Sequence, residues 1–410
     1  MNAYIYTTGT TIYPFGDSIC DLQIFCRSFD ELQKQELRKA GLEPISVVGK
    51  DNLNEEPPYI LIPDNLCLSA QAVKLVLRNV AKRGESFKLH LRNGYYSDVY
   101  LWGENSRNDT IPIDFFYVHD KKQTVGRKII DIDCRKFSRE KLPPTMEKNA
   151  RGFDYPQTDF IMIPIMNWVN LWQANIAFLM KHAFEWEYTR RYRQIIPIVR
   201  ALGSIERAPL YINKIGRNCS IHPSAVVEAS IIGDNVHIGA NAVVRLCNVA
   251  DHAYISDQAL LRVSNIGKNA YIANNNNVAF CTVYSGAFLI SGPYQFSIFG
   301  KECAVLHCID CDCRLDRKTI KASIAEFTRI DTNQLYVGSC FGHRVRIGAG
   351  TIISPGSAVP NNLWINPNPS LVIKGLTGLP EEQNLFLSED GVITNDQQRE
   401  KQILTSPHIE

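Results

Sequence analysis

The sequence predicts a mixed α/β domain followed by a parallel β-helix, and three observations predict it. Strand and helix signals alternate through the first two hundred residues. Aliphatic residues then recur about every sixth position from Ile215, and the groups they form start at 215, 232, 249 and 266, a constant step of 17 residues. An aliphatic residue followed by Gly or a small residue and then Asp, Asn or Lys describes a short strand and a tight corner, three times per coil. Stacking such coils buries one apolar column and pairs each strand with the coil above. The hexads return at Phe341, Ile347, Ile353, Val359 and Ile365. This divides the chain into residues 1–211, 212–374 and a polar C-terminal extension, 375–410.

In the first domain Ala3 to Thr7 reads as a strand, Ile24 to Lys39 as a helix closed by Gly41, and Glu43 to Val48 as a second strand. Tyr59 to Pro63 follows as a strand, Ala70 to Arg83 as a helix closed by Gly84, and Phe115 to His119 as another strand. Such alternation favours a parallel or mixed sheet covered by helices. A long helix is expected near 166–193. Its apolar stretch Phe160 to Met180 is interrupted by Asn167, Asn170, Gln173 and Asn175 at one-face spacing, which predicts an amphipathic helix rather than a membrane span.

Composition narrows the function classes. With 44 Lys+Arg against 42 Asp+Glu the chain carries a net charge of +2, and no basic stripe marks a nucleic-acid surface. The N-terminus, Met1-Asn-Ala-Tyr-Ile-Tyr6, lacks the basic flank and apolar core of a secretory signal, so a cytoplasmic protein is expected and its 12 cysteines are expected to be free thiols.

From Ile215 to Ile365 the hexads resemble the hexapeptide-repeat, left-handed β-helix proteins. Pro14-Phe-Gly-Asp-Ser-Ile-Cys-Asp, running to Lys39-Ala-Gly-Leu-Glu-Pro-Ile45, and Trp168-Val-Asn-Leu-Trp-Gln-Ala-Asn175 resemble segments of sugar-1-phosphate nucleotidyltransferases. Asp312-Cys-Arg-Leu-Asp316, and Asp331-Thr-Asn followed by Gly348 and Pro355-Gly356, are similar to stretches of the bifunctional enzymes that join such a domain to an amino-sugar acetyltransferase β-helix. The resemblance implies a homotrimeric transferase acting on sugar phosphates or nucleotide sugars. Acetyl-CoA or another acyl-CoA would lie between coils, and a histidine would act as general base.

Site expectations follow from that resemblance. Tyr294, in Pro293-Tyr294 through Gly300, stands where the family has the basic His, and a phenol is a poor base at neutral pH. Gly350 stands where the family has Asn. Among His222, His237, His252, His307 and His343, the last lies inside the best local match and is the strongest substitute base. His252 and His343 are expected at corners where a side chain points into solvent or a subunit groove. Arg314, Asp331 and Asp64 are the candidate substrate-binding residues. Nucleotidyl transfer would need a Gly-rich phosphate cradle, Arg and Lys, and a carboxylate for Mg²⁺. Here Tyr6-Thr-Thr-Gly-Thr-Thr-Ile-Tyr13 offers one glycine and no cation before Arg27, leaving Asp64 as the only carboxylate candidate, with a polar turn ahead of a helix capped near Ser69 as its alternative. The competing function class is therefore an inactive paralogue that senses nucleotide sugars or serves as a trimeric scaffold.

Cys308, Cys311 and Cys313, near Cys303 and His307, offer thiolates that could hold zinc, although Cys-x-Cys is cramped for tetrahedral ligation. The other reading is that they fill the repeat interior as small apolar groups.

Overall fold

The structure is a computed structural model. It describes residues 1–50, 55–80, 85–101, 109–122, 124–132, 134–138, 154–188 and 212–367, and the strand pair Leu385–Leu387 with Ile393–Asn395. The boundaries expected at 211 and 374 fall outside the described residues.

The first domain is a six-stranded mixed sheet in the order Glu43–Val47, Asn2–Tyr6, Tyr59–Pro63, Thr110–Val118, Phe87–Arg92, Gly126–Ile130. Its first three strands are parallel, and Thr110–Val118 runs antiparallel to both of its neighbours. Helix α1, Phe29–Lys39, begins five residues later than its apolar pattern suggests. Phe25 and Cys26 adopt φ of 57° and 58° and turn the chain between Gln23–Ile24 and Arg27–Ser28, and only then does Ser28 accept from the Glu31 amide and cap the helix. Helix α2, Ala70–Val80, is capped by Ser69, whose hydroxyl accepts from Ala72 N at 3.2 Å. A short helix α3, Tyr95–Tyr100, follows.

The long helix α4, Trp168–Tyr188, starts at Asn167, whose side-chain oxygen accepts from the amides of Val169 and Asn170. The expected solvent-facing polar stripe is corrected, because Asn170, Gln173 and Asn175 are all buried. Gln173 donates to Val99 O at 2.6 Å, while Asn175 accepts from Phe25 N at 2.9 Å and donates to Gln23 O at 3.1 Å. The stripe supplies hydrogen bonds that irregular backbone cannot make for itself. Among the described residues no helix is long and apolar enough to cross a membrane.

The second domain is a left-handed parallel β-helix. Ile215, Ile232, Val249 and Ile266 stack in register along one face and continue through Val283, Phe299, Phe341 and Val359. The 17-residue step holds to Val283, shortens to 16 at Phe299, and then opens into 42 residues before Phe341, where an insertion leaves the prism. Corners are made by left-handed residues, and Asn218, Asn235, His252 and Asn269 occupy equivalent places with φ of 55° to 59°. His252 is exposed there, so its place has a backbone reason.

The two domains share one core. It includes Trp168, Trp172 and Ile176 of α4 together with Val263, Tyr284, Phe296, Ile298 and Cys340 of the prism and Ile320 of the insertion. Trp172 Nε1 donates to Phe280 O at 2.7 Å, Trp168 Nε1 to Ser323 O at 2.8 Å, and Tyr284 to Gln23 O at 3.2 Å. All twelve cysteines are free, and Cys247, Cys281, Cys303 and Cys308 lie in the prism's own core.

Candidate functional site

The insertion between Ile309–Asp310 and Cys340–Phe341 folds into an antiparallel hairpin, Lys321–Ala325 with Thr328–Asp331. Alternation along its first strand buries Ala322 toward the first domain and leaves Lys321 exposed. The chain returns to the prism at Gly338, where a Cβ would collide with Ser297 Oγ and Gln295 O, so only glycine permits this approach.

Between the hairpin and the Ser354-Pro355 corner lies a cavity of about 590 Å³, lined by Arg314, Lys318, Lys321, Arg329 and Asp331 among others. Arg314 forms a two-point pair with Asp316, at 2.8 and 2.6 Å, which holds the Asp316 carboxyl well below the usual carboxylate range. Lys318 stands 3.8 Å from the same carboxylate. Arg329 Nε donates to Ser323 Oγ at 3.0 Å, and among the described residues neither Arg329 nor Lys321 has an ion pair. Asp331 is spent on the turn, accepting from Thr319 Oγ1 at 2.8 Å and Asn333 N at 2.9 Å. The result is a cleft with a surplus of cations and hydroxyl groups, suited to a phosphate or another anion.

The structure thus brings Arg314 and Asp331 together and places the other sequence candidates elsewhere. Tyr294 is fully buried inside the prism, its hydroxyl donating to Ile290 O at 3.1 Å, and burial pushes its pKa far up. It replaces an aliphatic residue of the interior column, in register with Val278. That packing role corrects its candidacy as a base.

His343 is not at a solvent-facing corner either, being 5% exposed. Its Nδ1 accepts from Lys301 N at 2.9 Å, so Nε2 carries the proton and donates to Asp17 at 3.1 Å. The ring stacks on Phe15 at 4.8 Å between centroids. Burial holds the imidazole below its usual range against the pull of Asp17, and the one lone pair of the neutral ring is taken by the Lys301 amide, which leaves none free to act as a base. Burial also pushes the Asp17 carboxyl up, but bonds from Lys301 and His343 outweigh it and leave it below the usual range. His343 therefore fastens the first domain to the prism. His343→Ala should cost about 1–3 kcal/mol of stability, read by chemical denaturation, and leave ligand affinity at the hairpin cleft unchanged.

Asp64 sits where the sheet order reverses, at the carboxyl ends of Asn2–Tyr6 and Tyr59–Pro63. It is 5% exposed and accepts from Thr8 N at 3.1 Å and Thr8 Oγ1 at 2.6 Å, closing the Thr-rich turn rather than facing a ligand. Among the described residues no group of three His, Cys, Asp or Glu is arranged to hold a metal. The zinc candidates do not converge either. Cys308 is in the core with its thiol pushed up to about 12 by burial, and burial also pushes the Cys313 thiol up to about 11.

A second cavity, of about 740 Å³, lies between α1, α4 and the first coils. Lys181 and Lys39 meet Glu36 there at 3.3 and 2.5 Å, while Arg27, Lys214 and Lys268 line it beside Asp234 and Asp251. Lys321 and Arg329 escaped the sequence reading because two cations in a short alternating hairpin look like any solvated face.

Comparison with known proteins agrees with the repeat. The bacterial transferase hexapeptide (six repeats) family matches residues 214–245. No curated protein matches. Among solved structures, the crystal structure of a hexapeptide transferase family protein from Anaplasma phagocytophilum is similar at 16% identity over 41% of this chain and 85% of that one, with a TM-score of 0.17. At that score the fold rests on the strand register and not on the superposition. The repeat is of the transferase hexapeptide type.

Proposed function

We propose that this protein binds a phosphate-bearing ligand, a sugar phosphate or nucleotide sugar, in the hairpin cleft, and that acyl transfer from an acyl-CoA such as acetyl-CoA is the reaction the cleft serves. The observation that carries the reading is the convergence of Arg314, Lys318, Lys321 and Arg329 on one cavity of a chain whose overall charge is balanced. The transferase-type repeat supports the reaction class. A homotrimer is part of the proposal, since hexapeptide-repeat proteins commonly form trimers, and the twelve free thiols suit a cytoplasmic setting.

Calorimetric titration with a nucleotide sugar, a sugar phosphate and acetyl-CoA tests the reading. Lys321→Glu and Arg329→Glu should each weaken the bound ligand by roughly ten- to a hundredfold, with a salt dependence that falls in step. Unchanged affinity in both variants would overturn the site.

One observation favours a second reading, a sensor or scaffold without turnover: the two candidate bases, Tyr294 and His343, are both locked away from the cleft. Ligand binding without release of free CoA from acetyl-CoA would select it. Nucleotidyl transfer receives no support from the Asp64 turn.

A further inference from the structure

Leu315 and Phe327 are 99% and 100% exposed, and both belong to the insertion that forms the cleft. Leu315 follows Arg314. Phe327 stands at the hairpin tip, within the turn between Ala325 and Thr328, and holds φ at 60°. A Gly or Asn would make the same turn at lower cost, although this chain also turns through Phe25, Phe280 and Phe296 in the left-handed region. The hairpin beneath it is firmly held. Ile320 and Ala322 are buried against the first domain, and Trp168 donates to Ser323 O. The tip that carries Phe327 is therefore held out into water by a packed hairpin.

Charge accompanies them. Residues 314–331 carry Arg314, Arg317, Lys318, Lys321 and Arg329 against Asp316, Glu326 and Asp331, a net +2 that equals the charge of the whole chain. Protein interfaces bury a contiguous patch, whereas these are two separate side chains on a segment of net positive charge, Leu315 between Arg314 and Asp316 and Phe327 between Glu326 and Thr328, two residues before Arg329. Single apolar side chains beside basic residues are what an anionic bilayer accepts, the former entering the headgroup boundary and the latter meeting phosphates.

We infer that the insertion docks this protein on an anionic lipid surface through Leu315, Phe327 and the cations beside them. The inference goes beyond the cleft reading, because neither apolar residue lines the cavity. The experiment is co-sedimentation of the full chain with phosphatidylcholine vesicles, with and without about a third of phosphatidylglycerol, alongside the double variant Leu315→Ser/Phe327→Ser. Wild type should bind only the anionic vesicles, with salt weakening the association, and the double variant should bind roughly tenfold less while keeping its affinity for soluble ligand. Wild type that ignores anionic vesicles, or a variant that binds them equally well, overturns the inference. So does a change of oligomeric state in the variant by sedimentation velocity, which would assign the tips to a contact between copies. Vesicle binding without any soluble ligand would sink the cleft reading alone.

Discussion

Trp172→Ala is expected to remove about 3–5 kcal/mol of stability and to split unfolding in denaturant from one transition into two. The indole is 2% exposed in the core that joins the sheet domain to the prism, where it meets Phe296 edge-on at 6.0 Å between centroids. Its Nε1 is the donor that satisfies Phe280 O, on a residue whose left-handed turn (φ 54°) carries the chain around a prism corner. Truncation would leave a void that rigid flat coils cannot collapse to fill, and would take the indole donor from a part-buried carbonyl. The prism keeps its own interior, from Val227 to Val359, so it should survive as a second, later transition. Circular dichroism and tryptophan fluorescence followed through the same titration would show this. Coincident single transitions with a midpoint close to wild type would mean that the domains are joined by something other than this contact.

The repeat was legible because a narrow prism accepts one kind of side chain at each inward place and one kind of backbone at each corner, so packing leaves a period in the sequence. What escaped were residues whose partners are remote. His343 has the spacing of a corner histidine, but Asp17 and Phe15, far away in the chain, turn it into a fastening. Asn170, Gln173 and Asn175 have the spacing of a wet helical face and instead bond backbone inside the core. Phe25 and Cys26 continue an apolar helical pattern, and a reversal with positive φ gives no compositional sign when no glycine makes it. Arg314 and Asp331 were found through a resemblance of motifs, while the cleft around them depends on a hairpin whose packing against Trp168 local periodicity does not encode. Asp310 escaped for the opposite reason: it takes a place in the prism's third face that the repeat gives to an aliphatic residue.

That substitution has the largest pH dependence expected of the molecule. Asp310 is 7% exposed and in register with Ile353, next to the buried Ser297 and Ser339. Burial is the main cause that pushes its pKa up to about 7, and the nearby Asp312 adds to it against the opposing bonds from Ser297 and Ser339. The local hydrogen bonds make chemical sense of a protonated acid. Ser297 Oγ lies 2.6 Å from Asp310 Oδ2 and 2.8 Å from Gln295 O, and it accepts from Ser339 N at 2.9 Å. With one proton to give, the hydroxyl satisfies Gln295 only if Asp310 donates its own proton to Ser297. An ionised Asp310 would compete for that single hydrogen while its Oδ1 stays buried without a partner. The folded pKa lies above the unfolded value of about 4, so the folded state holds the extra proton between roughly pH 4 and 7. Stability must therefore fall as pH rises through that window, and the loss is complete above it. Wild type should lose about 2 kcal/mol between pH 5.5 and 8 from this group alone. Asp310→Asn keeps a donor toward Ser297 without a charge, so it should flatten that slope and be the more stable protein at pH 8. Guanidinium unfolding of both proteins at the two pH values decides it: equal slopes would mean that the carboxyl is ionised and solvated in the folded protein, and that the third face is open where the structure closes it.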